Sequence, residues 1–176
     1  MRQQRKQIRF LAVAALLASL LAILSPWTVP IGPVGITLAT FALLTVALFA
    51  PWQLALTATA VYLALGAIGL PIFSQFTSGI TQLASPNGGF LIGYLPFVMI
   101  ASLTRYAKKP LIKLLILTFA HIMLYAVGGT VFALTLHLSL REALTLSVLP
   151  FLLPDLIKAV LAYYTASLLK KRLPKL

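Results

Sequence analysis

Residues 147–169 read SVLPFLLPDLIKAVLAYYTASLL. The run has the length and apolarity of a membrane helix. In its middle stands Asp155, the only aspartate of the chain, with Lys158 three residues on. A charge inside hydrocarbon costs from ~3 to more than ~10 kcal/mol, according to how far water and snorkelling relieve it. Such a residue must face a protein interior or a cavity. Positions i and i+3 share one face of a helix. The pair is therefore locally neutral and presents an acceptor and a donor side by side. Two readings follow: a structural ion pair that ties helices together, or a reader of a small polar ligand.

The rest of the chain agrees with a membrane setting. Hydrophobic residues make up 61% of it and charged residues 9%, against about 25% charged residues in soluble domains. This defines an integral membrane protein. Its 176 residues leave room for about six spans of ~20 residues, so a single transmembrane domain is expected over residues 1–176. There is no Cys, which removes disulfide and thiolate chemistry. The opening MRQQRKQIRF followed by an apolar stretch shares features with a signal peptide. That stretch is of span length and five more follow, so it is read as a retained first helix.

The apolar segments run over residues 8–27, 36–50, 52–70, 89–103, 111–136 and 143–169. The second and fourth are short for a span and are expected to lean on neighbours. Three clusters of four cations then fall on one side of a six-span chain. They are Arg2, Arg5, Lys6 and Arg9; Arg105, Lys108, Lys109 and Lys113; and Lys170, Lys171, Arg172 and Lys175. Loops 26–35 and 71–88 carry no charge, and Arg141 is offset by Glu142. The positive-inside rule then places both termini in the cytoplasm of a multi-pass cell-membrane protein.

The two uncharged loops read SPWTVPIGPVG (25–35) and GLPIFSQFTSGITQLASPNGGF (69–90). Pro and Gly at this density fix irregular backbone. Either the loops fold back over the bundle as a lid, or they lie on the membrane surface. Asn87, Gly88 and Gly89 form either an ordinary turn or a point of close backbone approach. Ala14, Ala18 and Ala22 form a smooth stripe on the first span, with Ala15 and Ser19 beside it. Small residues at this spacing let a second helix come close, so the stripe serves internal packing or docks a partner membrane protein.

Several chemistries are excluded. No phosphate loop of the GxxxxGK[ST] type is present. One Asp and one Glu cannot supply paired-carboxylate hydrolysis or a carboxylate-rich metal site. His121 and His137 are too few for a metal centre. His121 is read as packed or water-bonded and His137 as interfacial. Neither enzymatic activity nor a cofactor is expected. A proton-coupled carrier would rest on one acid already neutralised by Lys158, without the internal repeats usual in carriers.

Four stretches, in order and at matching spacing, carry a family resemblance: ITLATFALL (36–44), YLALGAIGLPIF (62–73), SPNGGFLIGY (85–94) and LPFLLPDLIKAVLA (149–162). They resemble BioY, the biotin-specific S component of energy-coupling factor (ECF) transporters, over about residues 9–169. Three positions depart from the family pattern. Ala39 stands at a usual Gln, Ser-Pro-Asn-Gly-Gly-Phe (85–90) replaces Gly-Pro-Thr-Gly-Gly-Tyr, and Leu153-Pro154 precede Asp155 where Pro-Gly is usual.

The resemblance implies an all-α, six-transmembrane-helix S-component bundle that captures biotin at the outer face. It implies closure by the first and the third-to-fourth loops. It also implies docking to an ECF coupling module, a transmembrane subunit with two ATPase subunits, through an Ala-xxx-Ala face that maps onto Ala14, Ala18 and Ala22. Biotin is then the transported ligand, and no metal is involved. Asp155 would accept from the ureido N–H groups and Lys158 would donate to the ureido carbonyl. Asn87, with Gly88 and Gly89, would stand at the mouth. Tyr62, Phe73, Phe90, Tyr94 and Tyr163 would supply walls. The rival expectations are an S component for another vitamin and a membrane scaffold with a structural Asp–Lys pair.

Overall fold

A computed structural model describes residues 2–30 and 34–172. Among the described residues there are seven α-helices: α1 (Arg2–Leu24), α2 (Ala39–Phe49), α3 (Trp52–Ala67), α4 (Gly88–Ser102), α5 (Pro110–Leu136), α6 (Leu140–Ser147) and α7 (Leu152–Arg172). A two-stranded antiparallel hairpin, β1 (Thr28–Val29) and β2 (Ile36–Thr37), lies between α1 and α2. Two 3-10 turns, Ser74–Phe76 and Ile80–Ala84, shape the loop between α3 and α4.

Among the described residues four stretches are long and apolar enough to cross a membrane: Gln3–Leu24, Gly88–Arg105, Pro110–Leu136 and Leu140–Arg172. The helices α2 and α3 are shorter, at 11 and 16 residues. At 1.5 Å per residue α2 is about 16 Å long, roughly half of a ~30 Å hydrocarbon core. Every residue of α2 except Phe41 is buried. It packs against α1, α4 and α7, so it needs no lipid contact of its own. Its length is set locally. The Thr37 hydroxyl accepts from the Ala39 amide at 2.9 Å and donates to the Ser25 carbonyl at 2.8 Å, which fixes the start. Ala50 is extended ahead of Pro51, as the residue before proline prefers.

The last apolar run is not one helix. It breaks into α6, a 3-10 turn at Leu149–Phe151, and α7. Pro150 and Pro154 remove two backbone donors from what would be a helix interior, and Val148 leaves helical geometry at φ −124°. Asp155 consequently falls in the first turn of α7, not mid-helix as the sequence suggested. The positive end of the helix dipole helps to hold its charge there.

The stripe of Ala14, Ala18 and Ala22 requires a correction. Ala14 and Ala18 are buried and Ala22 packs on the same core, facing the body of the bundle where α1 lies along α3. The smoothness that would suit a partner is used to bring α1 close to its own bundle. The other side of α1 exposes Ile8, Leu11, Leu16 and Ile23, as expected of a lipid-facing surface.

Glycines set a second close contact, between α4 and α5. A Cβ on Gly89 would lie 2.5 Å from Val131 Cβ and 2.9 Å from the Val127 carbonyl, and one on Gly128 would overlap the Phe90 ring. Gly89→Ala must therefore push the two helices apart. Overpacking of this kind typically costs about 1–3 kcal/mol. A lowered thermal unfolding midpoint of the purified variant in detergent is the expected readout.

Candidate ligand-binding site

The loop end of the bundle encloses a cavity of about 140 Å³. Its polar floor is built from three helices. Asp155 Oδ1 accepts from the Thr40 hydroxyl at 3.0 Å and from Lys158 Nζ at 2.9 Å. Asp155 Oδ2 accepts from the Tyr125 hydroxyl at 2.7 Å. Lys158 Nζ also donates to Thr40 Oγ1 at 3.0 Å. Asp155 is 3% exposed and Lys158 7%, so α2, α5 and α7 meet at one desolvated, charge-neutral cluster.

The cluster is not saturated. A carboxylate offers about four acceptor positions and an ammonium three donors. Three acceptor positions on Asp155 and two donors on Lys158 are used within the protein. One acceptor position, on Asp155 Oδ2, and one donor on Lys158 remain, on residues that both line the cavity.

Apolar walls rise from this floor: Phe73, Phe90, Leu91, Tyr94, Leu124 and Phe151. At the mouth are three side-chain amides, Gln75, Gln82 and Asn87. Asn87 precedes α4 without capping it through its side chain.

The two uncharged loops form the cover. Val34, Gly35 and Thr37 line the cavity from the first loop side, and Phe73, Ser74, Gln75 and Thr77 line it from the second. The loops also hold each other. The Gln75 amide donates to the Pro26 carbonyl at 3.0 Å. The Thr28 and Ser74 hydroxyls are 2.8 Å apart, and Trp27 meets Phe76 edge-on at 5.8 Å. Gln75 and Phe76 both take left-handed backbone at φ 58°, a conformation that costs a side-chain-bearing residue roughly 1–2 kcal/mol. These inter-loop contacts offset that cost.

Among the residues singled out in the sequence, Asp155, Lys158, Asn87, Phe73, Phe90 and Tyr94 converge on the cavity. Four do not. Tyr62 lies behind Phe73, edge-on at 5.7 Å, with its hydroxyl donating to the Ile72 carbonyl at 3.3 Å. Gly88 sits tight against the Leu83 carbonyl and Gly89 against α5, so both serve backbone packing and neither lines the cavity. Tyr163 is eight residues beyond Asp155, about 12 Å along the helix at 1.5 Å per residue, and is half exposed. It borders a different hollow, beside Thr104, Arg105 and Lys170.

Thr40 and Tyr125 are the functional candidates that the sequence reading missed. A hydroxyl in an otherwise apolar segment is the signal for Thr40, and a tyrosine one helical turn from His121 is the signal for Tyr125. His121 packs edge-on to Phe97 at 5.0 Å, with Nδ1 2.8 Å from the Leu117 carbonyl. His137 ends α5 in left-handed backbone. Among the described residues no three potential metal ligands come together.

An all-α membrane bundle with a polar-floored cavity under two interlocked loops is built to hold a small molecule. The chain belongs to the BioY family, whose sequence model matches residues 1–175. It is 34% identical over 160 residues to the biotin transporter BioY2 of Lactococcus lactis subsp. cremoris, covering 90% of this chain and 88% of that one. It is 32% identical over 165 residues to the biotin transporter BioY of Thermotoga maritima, covering 93% and 97%. Among solved structures, the S-component for biotin from an ECF-type ABC transporter superposes with a TM-score of 0.86 at 24% identity, covering 97% of this chain and 95% of that chain. That likeness establishes the S-component fold, and the relatives are transporters, not enzymes.

Proposed function

We propose that this chain is the biotin-binding S component of an ECF-type uptake system. The observation that carries the reading is the unsaturated Asp155–Lys158–Thr40–Tyr125 cluster on the cavity floor. A cyclic urea presents N–H donors flanking a carbonyl acceptor. The free acceptor on Asp155 takes a ureido N–H and the free donor on Lys158 takes the ureido oxygen. Charge-assisted bonds in a desolvated pocket are the strong kind. The phenylalanine and leucine walls bury the fused sulfur ring. The mouth amides of Gln75, Gln82 and Asn87 meet the valerate carboxylate.

Ligand analogues test the assignment at the level of single atoms. Desthiobiotin keeps the ureido ring and should compete with biotin for the purified chain. Iminobiotin replaces the ureido oxygen with a nitrogen that carries hydrogen, which would face the Lys158 ammonium. It should bind at least about tenfold more weakly, or ~1.4 kcal/mol. Equal affinity for biotin and iminobiotin would remove Lys158 from the ureido site.

The three basic clusters support a cytoplasmic side for both termini and an outer position for the loop end, an orientation in which biotin enters from the outer face. Transport then requires a coupling module. With Ala14 and Ala18 buried, the face of α1 open to such a partner is the one bearing Ala15 and Ser19, both exposed. Their four-residue spacing suits close helix approach. Ala15→Trp should abolish co-purification with the module while leaving biotin binding by the isolated chain intact. Ala18→Trp should instead destabilise the chain itself. Normal assembly of the Ala15→Trp chain would move the docking surface elsewhere.

A further inference from the structure

The end of the bundle opposite the cavity contains a second hollow that the biotin reading does not use. It is lined by Arg105, Lys113 and Lys170, with Thr104, Ser167 and Tyr163. Arg105 follows α4, Lys113 lies in the first turn of α5, and Lys170 in the last turn of α7. Because α7 packs along α2 and α5 along α4, the ends of α5 and α7 stand on either side of the hollow. Lys170 is close enough to feel the positive charges of both Arg105 and Lys113.

Among the described residues no side-chain carboxylate can neutralise the three. The chain has two acids. Asp155 is bound to Lys158, and Glu142 caps α6 through Ser139, both toward the cavity end. Two of the neutral hydroxyls, those of Thr104 and Ser167, are also committed. Thr104 Oγ1 donates to the Ala101 carbonyl at 2.7 Å, and Ser167 Oγ to the Tyr163 carbonyl at 2.7 Å. The guanidinium of Arg105 is anchored by one N–H to the Phe49 carbonyl at 2.9 Å, which leaves other N–H groups free. Among the described residues Lys113 and Lys170 have no acceptor partner. The uncommitted donors of the hollow are thus three cations and the Tyr163 hydroxyl, a set that suits an anion. Tyr163 and Tyr164 on α7, and the following Lys171 and Arg172, mark this depth as the membrane–water interface.

We propose that this hollow binds the phosphate group of an anionic phospholipid at the cytoplasmic interface. The headgroup phosphate is the abundant anion at that depth, and lysines near an anionic membrane surface are attracted to it. An Arg fixed in place beside two lysines suits a phosphate oxygen cluster. The site does not depend on which ligand the opposite cavity takes.

Native mass spectrometry of the full chain, released from detergent with defined lipids, tests this. Phosphatidylglycerol should be retained about tenfold more strongly than phosphatidylcholine. The preference should be lost in Lys113→Gln/Lys170→Gln and kept in Lys108→Gln/Lys109→Gln, which removes the same charge from exposed neighbours. Lys113→Arg/Lys170→Arg should restore it, and unchanged thermal unfolding in lipid-free detergent shows that the glutamine variant is folded. Equal loss in both glutamine pairs would reduce the effect to diffuse charge and overturn the site. Displacement of the lipid by millimolar inorganic phosphate would assign the hollow to soluble phosphate and overturn the lipid. No preference for phosphatidylglycerol in the native chain would also overturn it, leaving the three cations for an acidic partner surface.

Discussion

Asp155→Asn and Lys158→Met are each expected to weaken biotin binding by about 30-fold to several-thousand-fold, the equivalent of the roughly 2–5 kcal/mol typical for removing one partner of a buried charged pair. The geometry explains the size. Asp155 Oδ1 accepts from both Thr40 and Lys158, and Oδ2 accepts from Tyr125. An asparagine amide nitrogen can accept none of these bonds: turned toward Oδ1's partners it faces the Lys158 ammonium, and turned toward Tyr125 it requires that hydroxyl to accept instead of donate. Lys158→Met keeps the stem but leaves the Asp155 charge without its counter-charge. Each single change thus leaves a buried charge unpaired, which is destabilising in its own right. The double variant separates stability from recognition. Asp155→Asn/Lys158→Met restores local neutrality and should regain thermal stability while biotin binding stays lost. A stable double variant that binds biotin normally would make the pair purely structural.

Phe73→Ala is expected to have the largest effect among apolar changes. The Phe73 side chain is 1% exposed. It seats over Gly66, where a Cβ would overlap the ring, and meets Tyr62 edge-on at 5.7 Å. It also lines the cavity. Truncating a buried phenylalanine typically costs about 3–5 kcal/mol. Here the loss falls on the contact that pins loop 71–87 to α3, assisted by the Tyr62 hydroxyl on the Ile72 carbonyl at 3.3 Å and by backbone bonds such as Gly79 to the Gly66 carbonyl at 2.8 Å. The variant should show faster biotin dissociation and faster proteolysis within that loop, with slower changes elsewhere. Gly66→Ala attacks the same contact from the other side and should reproduce both effects. Unchanged dissociation and proteolysis in both variants would mean that the loop is held by something other than Phe73.

The parts legible in the sequence were those that hydrophobic length and charge decide alone. Membrane class and the α1, α3, α4 and α5 segments follow from apolar runs bounded by basic or Pro/Gly-rich stretches. The Asp155–Lys158 pair was visible because a charge in an apolar run demands a partner. The last segment was misread because hydropathy averages across Pro150 and Pro154, while the backbone breaks at Val148. Periodicity identified Ala14 and Ala18 as one smooth face but not which way it pointed. Small residues suit inward and outward packing equally, and only the placement of α3 decides. Tyr163 was expected among the aromatic walls, although two turns of helix carry it from Asp155 to the far end. Thr40 and Tyr125 lie 115 and 30 residues from Asp155. Their convergence depends on tertiary packing, which no local pattern records.

The central claim is that the cavity floored by Asp155 and Lys158 binds biotin, and equilibrium binding of radiolabelled biotin to the purified full chain tests it most directly. Saturable binding of one biotin per chain is predicted, displaced by unlabelled biotin and not by equal concentrations of thiamine or riboflavin. Absence of saturable biotin binding by folded protein, or displacement by another vitamin as readily as by biotin, would contradict it.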